Sequence, residues 1–349
     1  MKFGMFPTAD CEGATLAHGM GVGEKRFAKG RILSADDIET FETAGHSTIP
    51  VARLGKHDVP ENRAAADIGV KLATCNIAAR TASTGRVNLH ASETGLFQVS
   101  AKKVNAINAI DPSVTLATLP NFAICQAGAM VATVKIIPFS APSIAVEKAS
   151  ELATSAFTLH PFKALTVGLV QTTLTLTKQA VLEKTVKVTR QRISDLNGKL
   201  SVAVHCNHDN ATLAETLHSM LGLDLLIVFG ASAVCDEDDV IPAAIRLIGG
   251  KVIRVGMPVD PGNLMVLGRK GKTKIIGAPG CARSPKENGF DWVLARLFAG
   301  FKVTARDIMG MGVGGLLMEI PTRPSPRSAV ESPSSAAENQ RNMVSLEND

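Results

Sequence analysis

Between Val228 and Ala244 the chain reads VFGASAVCDEDDVIPAA: an apolar run ends, Gly230, Ala231, Ser232 and Ala233 follow with almost no side chain, and Asp236, Glu237, Asp238 and Asp239 then stand in a row. Two chemistries are open to such a stretch. Small residues let a ligand reach the backbone N–H groups of a turn, and carboxylates that converge can hold Mg²⁺. The acids also have a structural use. N-capping and the positive end of the helix dipole at the start of VIPAAI, with Pro242 in the first turn, account for one or two of them. Adjacent residues on a turn point apart, which disfavours a metal site made by the protein alone, while a ligand phosphate would complete a Mg²⁺ shell.

Three further loops carry unusual groups. TTLTLTK supplies hydroxyls at Thr172, Thr173 and Thr175 with Lys178 behind them. Hydroxyls beside a helix N-terminus can bind an oxyanion, and a threonine run is equally a solvated, β-prone stretch; both readings stand. GMPVDPGNLMVLGRKGK contains DPGN, a tight turn of Pro-Gly type between two extended segments. GAPGCARSPKENGFDW joins a glycine turn to Ser284, Lys286 and Asn288 just before the helix FDWVLARLF, which makes it the best single anion-site candidate. Two other motifs read more plainly. His205, Cys206 and His208 of HCNHD lie too close together in an extended segment to face one ion. The glycines of GMGVGGLL lack the long following helix of a dinucleotide fingerprint and point to a tight turn and close packing.

The elements that must position these loops follow from patterning. From about residue 160 onward, ALTVGLVQT, KLSVAVHC, LDLLIVFG, KVIRVG and KTKIIGAPG read as apolar strands, separated in large part by the helices KQAVLEKTVKVTRQRISDL, NATLAETLHSML and DVIPAAIRLIGG. Strands apolar on both faces and alternating with helices require a sheet covered on two sides, and its ligand site belongs outside the carboxyl ends of the strands. Asp209 or Asn210 opens the second helix, and Asn197-Gly198 stops the first. The first 155 residues are mixed α+β. Ser34 caps a short helix carrying Asp36 and Asp37, with Gly45 at its end, followed by a strand; NRAAADIGVKLA and SIAVEKASELATSA read as helices and AMVATVKIIPFSAP as a strand. Residues 321–349 are rich in serine, proline and polar groups, the composition of a disordered tail. The expected layout is therefore 1–155, 160–320 and a tail.

Composition narrows the partners. The chain of 349 residues exceeds one usual core, and its 45% apolar and 20% charged residues describe a globular protein. A net charge of +5 with scattered basic residues, no tyrosine and one tryptophan argues against nucleic acid. No apolar run is long enough for a membrane span, and MKFGMFPTADCEGAT places acids where a signal peptide needs an apolar core, so a cytoplasmic location is expected. The six cysteines stand apart without a CxxC pair and are expected to be reduced and mostly buried.

Taken together, VFGASAVCDEDDVIPAAI, GGKVIRVGMPVDPGN, a short hairpin and IIGAPG resemble the molybdopterin-binding domain of molybdopterin molybdenumtransferases and adenylyltransferases. EGATLAHGMGVGEKRFAKGRILSADDIETFETAGHSTIPV is similar to the opening of molybdenumtransferase-like proteins, and a bacterial subgroup, sometimes fused ahead of a nucleotidyltransferase of the molybdopterin cytidylyltransferase type, is nearest. The resemblance implies a three-layer α/β/α domain with a parallel-dominated sheet, preceded by a smaller mixed α+β domain. It implies molybdopterin or its nucleotide form as ligand, with Mg²⁺ bridging phosphates. It places Gly230, Ala231 and Ser232 against pterin and phosphate, Asp238 or Asp239 as the acid that acts in catalysis and, for Asp239, holds the metal, Pro261 and Gly262 in the Pro-Gly turn, and Pro279 and Gly280 in the closing loop. Thr172, Ser284 and Lys286 join the ligand set, with Arg283 offsetting phosphate charge.

Departures from the family pattern matter. Asp260 and Asn263 stand where lysines usually flank the Pro-Gly turn, Thr172, Thr173, Leu174 and Thr175 replace a Thr-Gly-Asp-Glu loop, and neither a Ser-Ala-Met-Asp-Gly-Tyr loop nor the small terminal β domain has a counterpart. They weigh against catalysis more than against pterin binding. Two readings of function follow: insertion of molybdate into adenylylated molybdopterin, or a non-catalytic pterin carrier or regulatory module serving a nucleotidyltransferase partner. A third is an unrelated nucleotide-binding α/β enzyme. The sequence leaves open the attached nucleotide and the oligomeric state, a homo-oligomer included.

Overall fold

The computed structural model describes residues 1–317, and the tail expected at 321–349 lies outside them. The chain opens with an antiparallel sheet of Lys2–Pro7, Thr48–Arg53 and Thr15–Leu16. It closes over Phe27, Leu33, Phe41, Ile49 and Val51. Helix Ala35–Thr43 packs there through buried Ile38 and Phe41, and Ser34 caps it as expected: Asp37 N–H donates to the Ser34 hydroxyl while Asp37 reaches back to Ser34 N–H. Gly45 sits at φ +81, the left-handed conformation of a helix stop. Further on, sheets of four, three and two antiparallel strands and the helices Glu61–Leu72, Ala101–Asn108 and Ser143–Ala153 surround a second core around Ile68, Leu72, Phe97 and Phe157.

A six-stranded sheet follows. Its strands are β1 (Thr166–Thr173), β2 (Lys199–Asn207), β3 (Leu225–Phe229), β4 (Lys251–Val255), β5 (Val266–Lys270) and β6 (Thr273–Ala278), in the order β2-β1-β3-β6-β5-β4. The first four positions pair in parallel, while β5 runs antiparallel to both β6 and β4. The helices are α1 (Gln179–Asp195), α2 (Asn210–Ser219), α3 (Val240–Leu247), α4 (Gly289–Phe298) and the short α5 (Ala305–Met309). Alternate residues of β3 feed opposite faces, as a pleated strand must. Leu225, Ile227 and Phe229 join Ile193 of α1 and Phe290, Val293 and Leu294 of α4, whereas Leu226 and Val228 join Leu213 and Leu217 of α2 and Ile241 and Ile245 of α3. The fold is therefore α/β, with one helix layer on each side of this sheet.

Pattern reading missed β5, because Val266–Lys270 follows a long turn and only its first residues are apolar, and it missed α5. The parallel order expected of strands separated by helices accordingly ends at β6, where the β5–β6 hairpin reverses the chain. The cysteines also differ from expectation: only Cys11 and Cys125 are buried, and Cys75 and Cys235 are exposed. Close packing of the late glycines is seen at Gly315, where a Cβ would lie 2.5 Å from the Pro258 carbonyl. Leu96 and Phe162 extend the β3–α4 core towards the first part of the chain, and the Arg296 guanidinium lies 4.1 Å over the Phe122 ring. Among the described residues no helix is long and apolar enough to cross a membrane.

Candidate functional site

The carboxyl ends of β1, β3 and β6 bring three loops together. Gln171 and Thr172, polar residues within an otherwise apolar strand, are both buried there. Thr172 Oγ1 accepts from Ala231 N–H at 2.8 Å and lies 2.7 Å from His208 Nδ1. The hydroxyl keeps both a proton and a second lone pair for this contact, so its direction follows the tautomer of the ring. Thr172 thus locks the turn after β3 to the end of β2.

Arg283 is the charged centre of this region. Its Nη1 donates to Gln171 Oε1 at 3.0 Å and to Thr185 Oγ1 at 2.7 Å, and Nη2 donates to the Gly230 carbonyl at 3.2 Å. The guanidinium lies 4.8 Å over the Phe229 ring. All these acceptors are neutral, and among the described residues Arg283 makes no ion pair. Burial pushes its pKa down from the usual arginine value. A half-buried cation held only by neutral groups leaves a positive field at the strand ends, where an anion would be drawn.

The helices that start at this edge differ in how their first N–H groups are used. Asp209 caps α2 by accepting from Thr212 N–H at 2.8 Å. Asp239 caps α3: one oxygen accepts from Val240 N–H at 2.6 Å and the other from Cys235 N–H at 3.0 Å. Asn288 and Asp291 form a capping box on α4, and Asp291 takes a 2.6 Å ion pair from Arg192 of α1. Burial nevertheless holds the Asp291 carboxyl above its ordinary pKa, with Arg192 opposing that rise. Only α1 lacks such a cap: Lys178 stands at its N-cap without a side-chain bond, and its first turn holds no acid. Val181 N–H turns back to the Lys178 carbonyl at 3.0 Å, so no side chain takes the first amides of α1, and the loop before it holds Thr173, whose hydroxyl is turned to the Cys206 carbonyl at 3.1 Å.

A family model described as a domain of unknown function (DUF8806) matches residues 5–53. No curated protein matches the chain. Among solved structures the chain is similar to a molybdopterin biosynthesis MoeA protein from Pyrococcus horikosii, at 11% identity and a TM-score of 0.30 over 89% of this chain and 76% of that one. It is also similar to a molybdenum cofactor biosynthesis protein from Pyrococcus furiosus, at 10% identity and a TM-score of 0.26 over 88% of this chain and 65% of that one.

The residues singled out from sequence divide into two groups. Thr172, Gly230, Ala231 and Arg283 come together at one point, with Ser232 exposed beside them. Gly230 is required by its own turn, since a Cβ there would lie 2.6 Å from the Ser232 carbonyl. Pro261 and Gly262 instead pack on the start of α4: Gly289 N–H donates to the Pro261 carbonyl at 2.9 Å, and a Cβ on Gly262 would lie 2.6 Å from Gly289 N. Pro279 precedes the 3₁₀ turn Gly280–Arg283 that delivers Arg283, and a Cβ on Gly280 would meet open space. Ser284 and Lys286 give their carbonyls to Arg192 at 2.6 and 3.1 Å, and the Lys286 side chain is exposed.

The acids do not make the donor set that Mg²⁺ asks for. Asp238 is exposed and turns to Arg246 Nη1 at 3.2 Å, Glu237 lies 3.9 Å from the same guanidinium, and Asp236 accepts from Asp238 N–H at 2.8 Å. Both Asp239 oxygens are used by amides. Among the described residues no three His, Cys, Asp or Glu side chains are grouped to hold a metal. Sequence reasoning missed Gln171, Thr185, Arg192 and Asp291. A signal existed only for Gln171, a polar residue inside an apolar strand; the others look like ordinary helix residues. A groove of about 670 Å³ along β2 and the end of α2 is lined by residues including Val202, Val204, Met220 and Leu223 and holds none of these groups.

Proposed function

We propose that the strand-end surface between β1 and β3 binds a phosphate-bearing ligand, molybdopterin or its nucleotide form, in molybdenum cofactor biosynthesis. The observation that carries this reading is Arg283, a half-buried guanidinium with neutral acceptors alone, bonded to Thr185 in the second turn of α1, the helix whose start is uncapped. A phosphate there would supply the missing negative charge, with charge-assisted bonds from remaining guanidinium N–H groups, the α1 amides and Lys178. The motif resemblance of the β3 turn and the Pro279-Gly280 loop supplies the pterin. Gly230 to Ser232, held by Thr172, would border it.

Between the two activities, the fates of Asp238 and Asp239 favour holding the pterin over inserting molybdate. The carboxylates that the resemblance assigns to metal and catalysis are turned to Arg246 and to the cap of α3, so no metal-dependent step is derived from them. The test is incubation of the protein with adenylylated molybdopterin, Mg²⁺ and molybdate, following AMP release and bound pterin together. Pterin retained without AMP release is the expected result, and AMP release would establish the molybdate-inserting reading instead. Arg283→Lys should weaken pterin retention about tenfold, since the fork of bonds is lost and the charge kept. Unchanged retention in that variant, or no retention by the wild-type protein, would remove Arg283 or the ligand class from the reading.

A further inference from the structure

The opposite end of the sheet carries a second charged feature. In the β4–β5–β6 register Lys251 stands directly opposite Arg269, and Arg269 directly opposite Lys274. Directly opposed residues point to one face, so three cations form a row across three strands. They share that face with Leu267 and Ile276, two residues further along β5 and β6. Lys251 and Arg269 are exposed. Among the described residues none of the three makes an ion pair; Asp224, whose Oδ2 accepts from the Thr166 N–H and hydroxyl at 2.8 and 2.7 Å, is held below its ordinary pKa by those bonds first and in smaller part by Lys274, so Lys251 and Arg269 are the exposed cations of the row. Lys270 and Lys272 extend the charge into the hairpin tip, and Arg254 extends it along β4.

Like charges placed directly opposite in a sheet destabilise it. Here the repulsion is left in place next to an unpaired backbone, because β4 is the outer strand of the sheet. A groove of about 340 Å³ runs along it, lined by three cations, Arg246, Lys251 and Arg254, by Glu237, which lies 3.9 Å from Arg246, and by Gly250, Val252, Ile253 and Val255, with no aromatic side chain. An edge strand with free N–H and C=O groups is a template for one more strand. The absence of aromatic faces along the groove is unsuited to stacked bases.

We propose that β4 is a docking edge for an extended acidic segment of a partner protein, which adds as a seventh strand and sets carboxylates at every second residue against Lys251, Arg254 and Arg269. Backbone pairing supplies the register and the cation row supplies the sign of the partner's charge. The row of Lys251, Arg269 and Lys274 lies at the far end of the strands from Arg283.

The test uses the full chain and fluorescence anisotropy of a labelled peptide of alternating valine and glutamate. Binding is expected, weakening as salt rises. It should fall about tenfold or more in the double variant Lys251→Glu, Arg269→Glu, as expected for reversing two contacting charges. Lys251→Gln alone should bind more weakly with a thermal midpoint equal to or above that of the wild type, since one of two opposed like charges is removed, which separates lost contact from lost fold. The same peptide N-methylated at alternate residues should not bind. Equal binding of the N-methylated peptide, equal or tighter binding of a single-stranded DNA oligonucleotide, or no binding of the acidic peptide would each overturn the proposal.

Discussion

Helices α1 and α4 begin at the same edge of the same sheet, yet one start is closed and the other open. At α4 most of the polar groups that made GAPGCARSPKENGFDW attractive as an anion site are used within the protein, the exposed Lys286 side chain apart. Asn288 and Asp291 take the first amides, Arg192 takes Asp291, and the carbonyls of Ala282, Ser284 and Lys286 turn to Arg192. The helix carries its own anion. At α1, the loop TTLTLTK offers fewer polar types, but no side chain caps the helix and no acid sits in its first turn. Richness in polar residues therefore marks a self-satisfied loop as readily as a binding one, and what distinguishes them is whether donors remain after the internal bonds are made.

The largest effect should come from opening the closed end. Arg192→Ala removes the partner of a buried carboxylate and of three carbonyls, so a loss of about 3 kcal/mol is expected in urea unfolding. The deficit should depend on pH with a stated sign. Burial raises the Asp291 carboxyl above its ordinary value, and a raised carboxyl favours the fold when protonated. Its contribution is present in acid and lost as pH rises through the folded value. Without Arg192 that rise is larger, so the variant should be furthest below the wild type at neutral pH and approach it in acid. A deficit that stays the same from neutral pH into acid would mean that the three carbonyls held by Arg192, and not the Asp291 carboxylate, govern the closed end.

A smaller effect separates the two acids of the β3 turn. Asp239→Ala removes the cap of α3 and should cost about 1 kcal/mol, whereas Asp238→Ala, at an exposed position, should stay within about 0.5 kcal/mol. Neither should change pterin retention if the ligand lies on the Arg283 side of the turn. Loss of retention in Asp239→Ala with little loss of stability would return that carboxylate to the ligand.

How much of this was legible in the sequence depends on whether the signal was local. The capping of Ser34, the helix opened by Asp209 and the strands of the parallel sheet were read from patterning, because caps and apolar runs act over a few residues. The fate of Ser284, Lys286 and Asn288 was not, because it is decided by Arg192, 92 to 94 residues away along the chain from its Ser284 and Lys286 partners. Arg283 was noted only as a neighbouring charge; its importance rests on Gln171 and Thr185, 112 and 98 residues away. Strand β5 was hidden for another reason. Arg269 and Lys270 end it with charge, and those same residues build the cation row.

The smallest expected effect tests the open end most directly. Ala180→Asp would give α1 the anion in its first turn that α4 already has, with Lys184 four residues on as an opposite charge. A carboxylate at this position complements the helix dipole and should raise stability by about 0.5 kcal/mol. The same charge would occupy the α1 amides and repel a phosphate brought towards Arg283, so pterin retention should fall severalfold while the protein becomes more stable. Few substitutions move the two quantities in opposite directions, which makes the pair of readings informative together. If Ala180→Asp stabilises the fold and leaves retention untouched, the α1 start is open without being part of the site, and the anion is held by Arg283 from the β3 side alone.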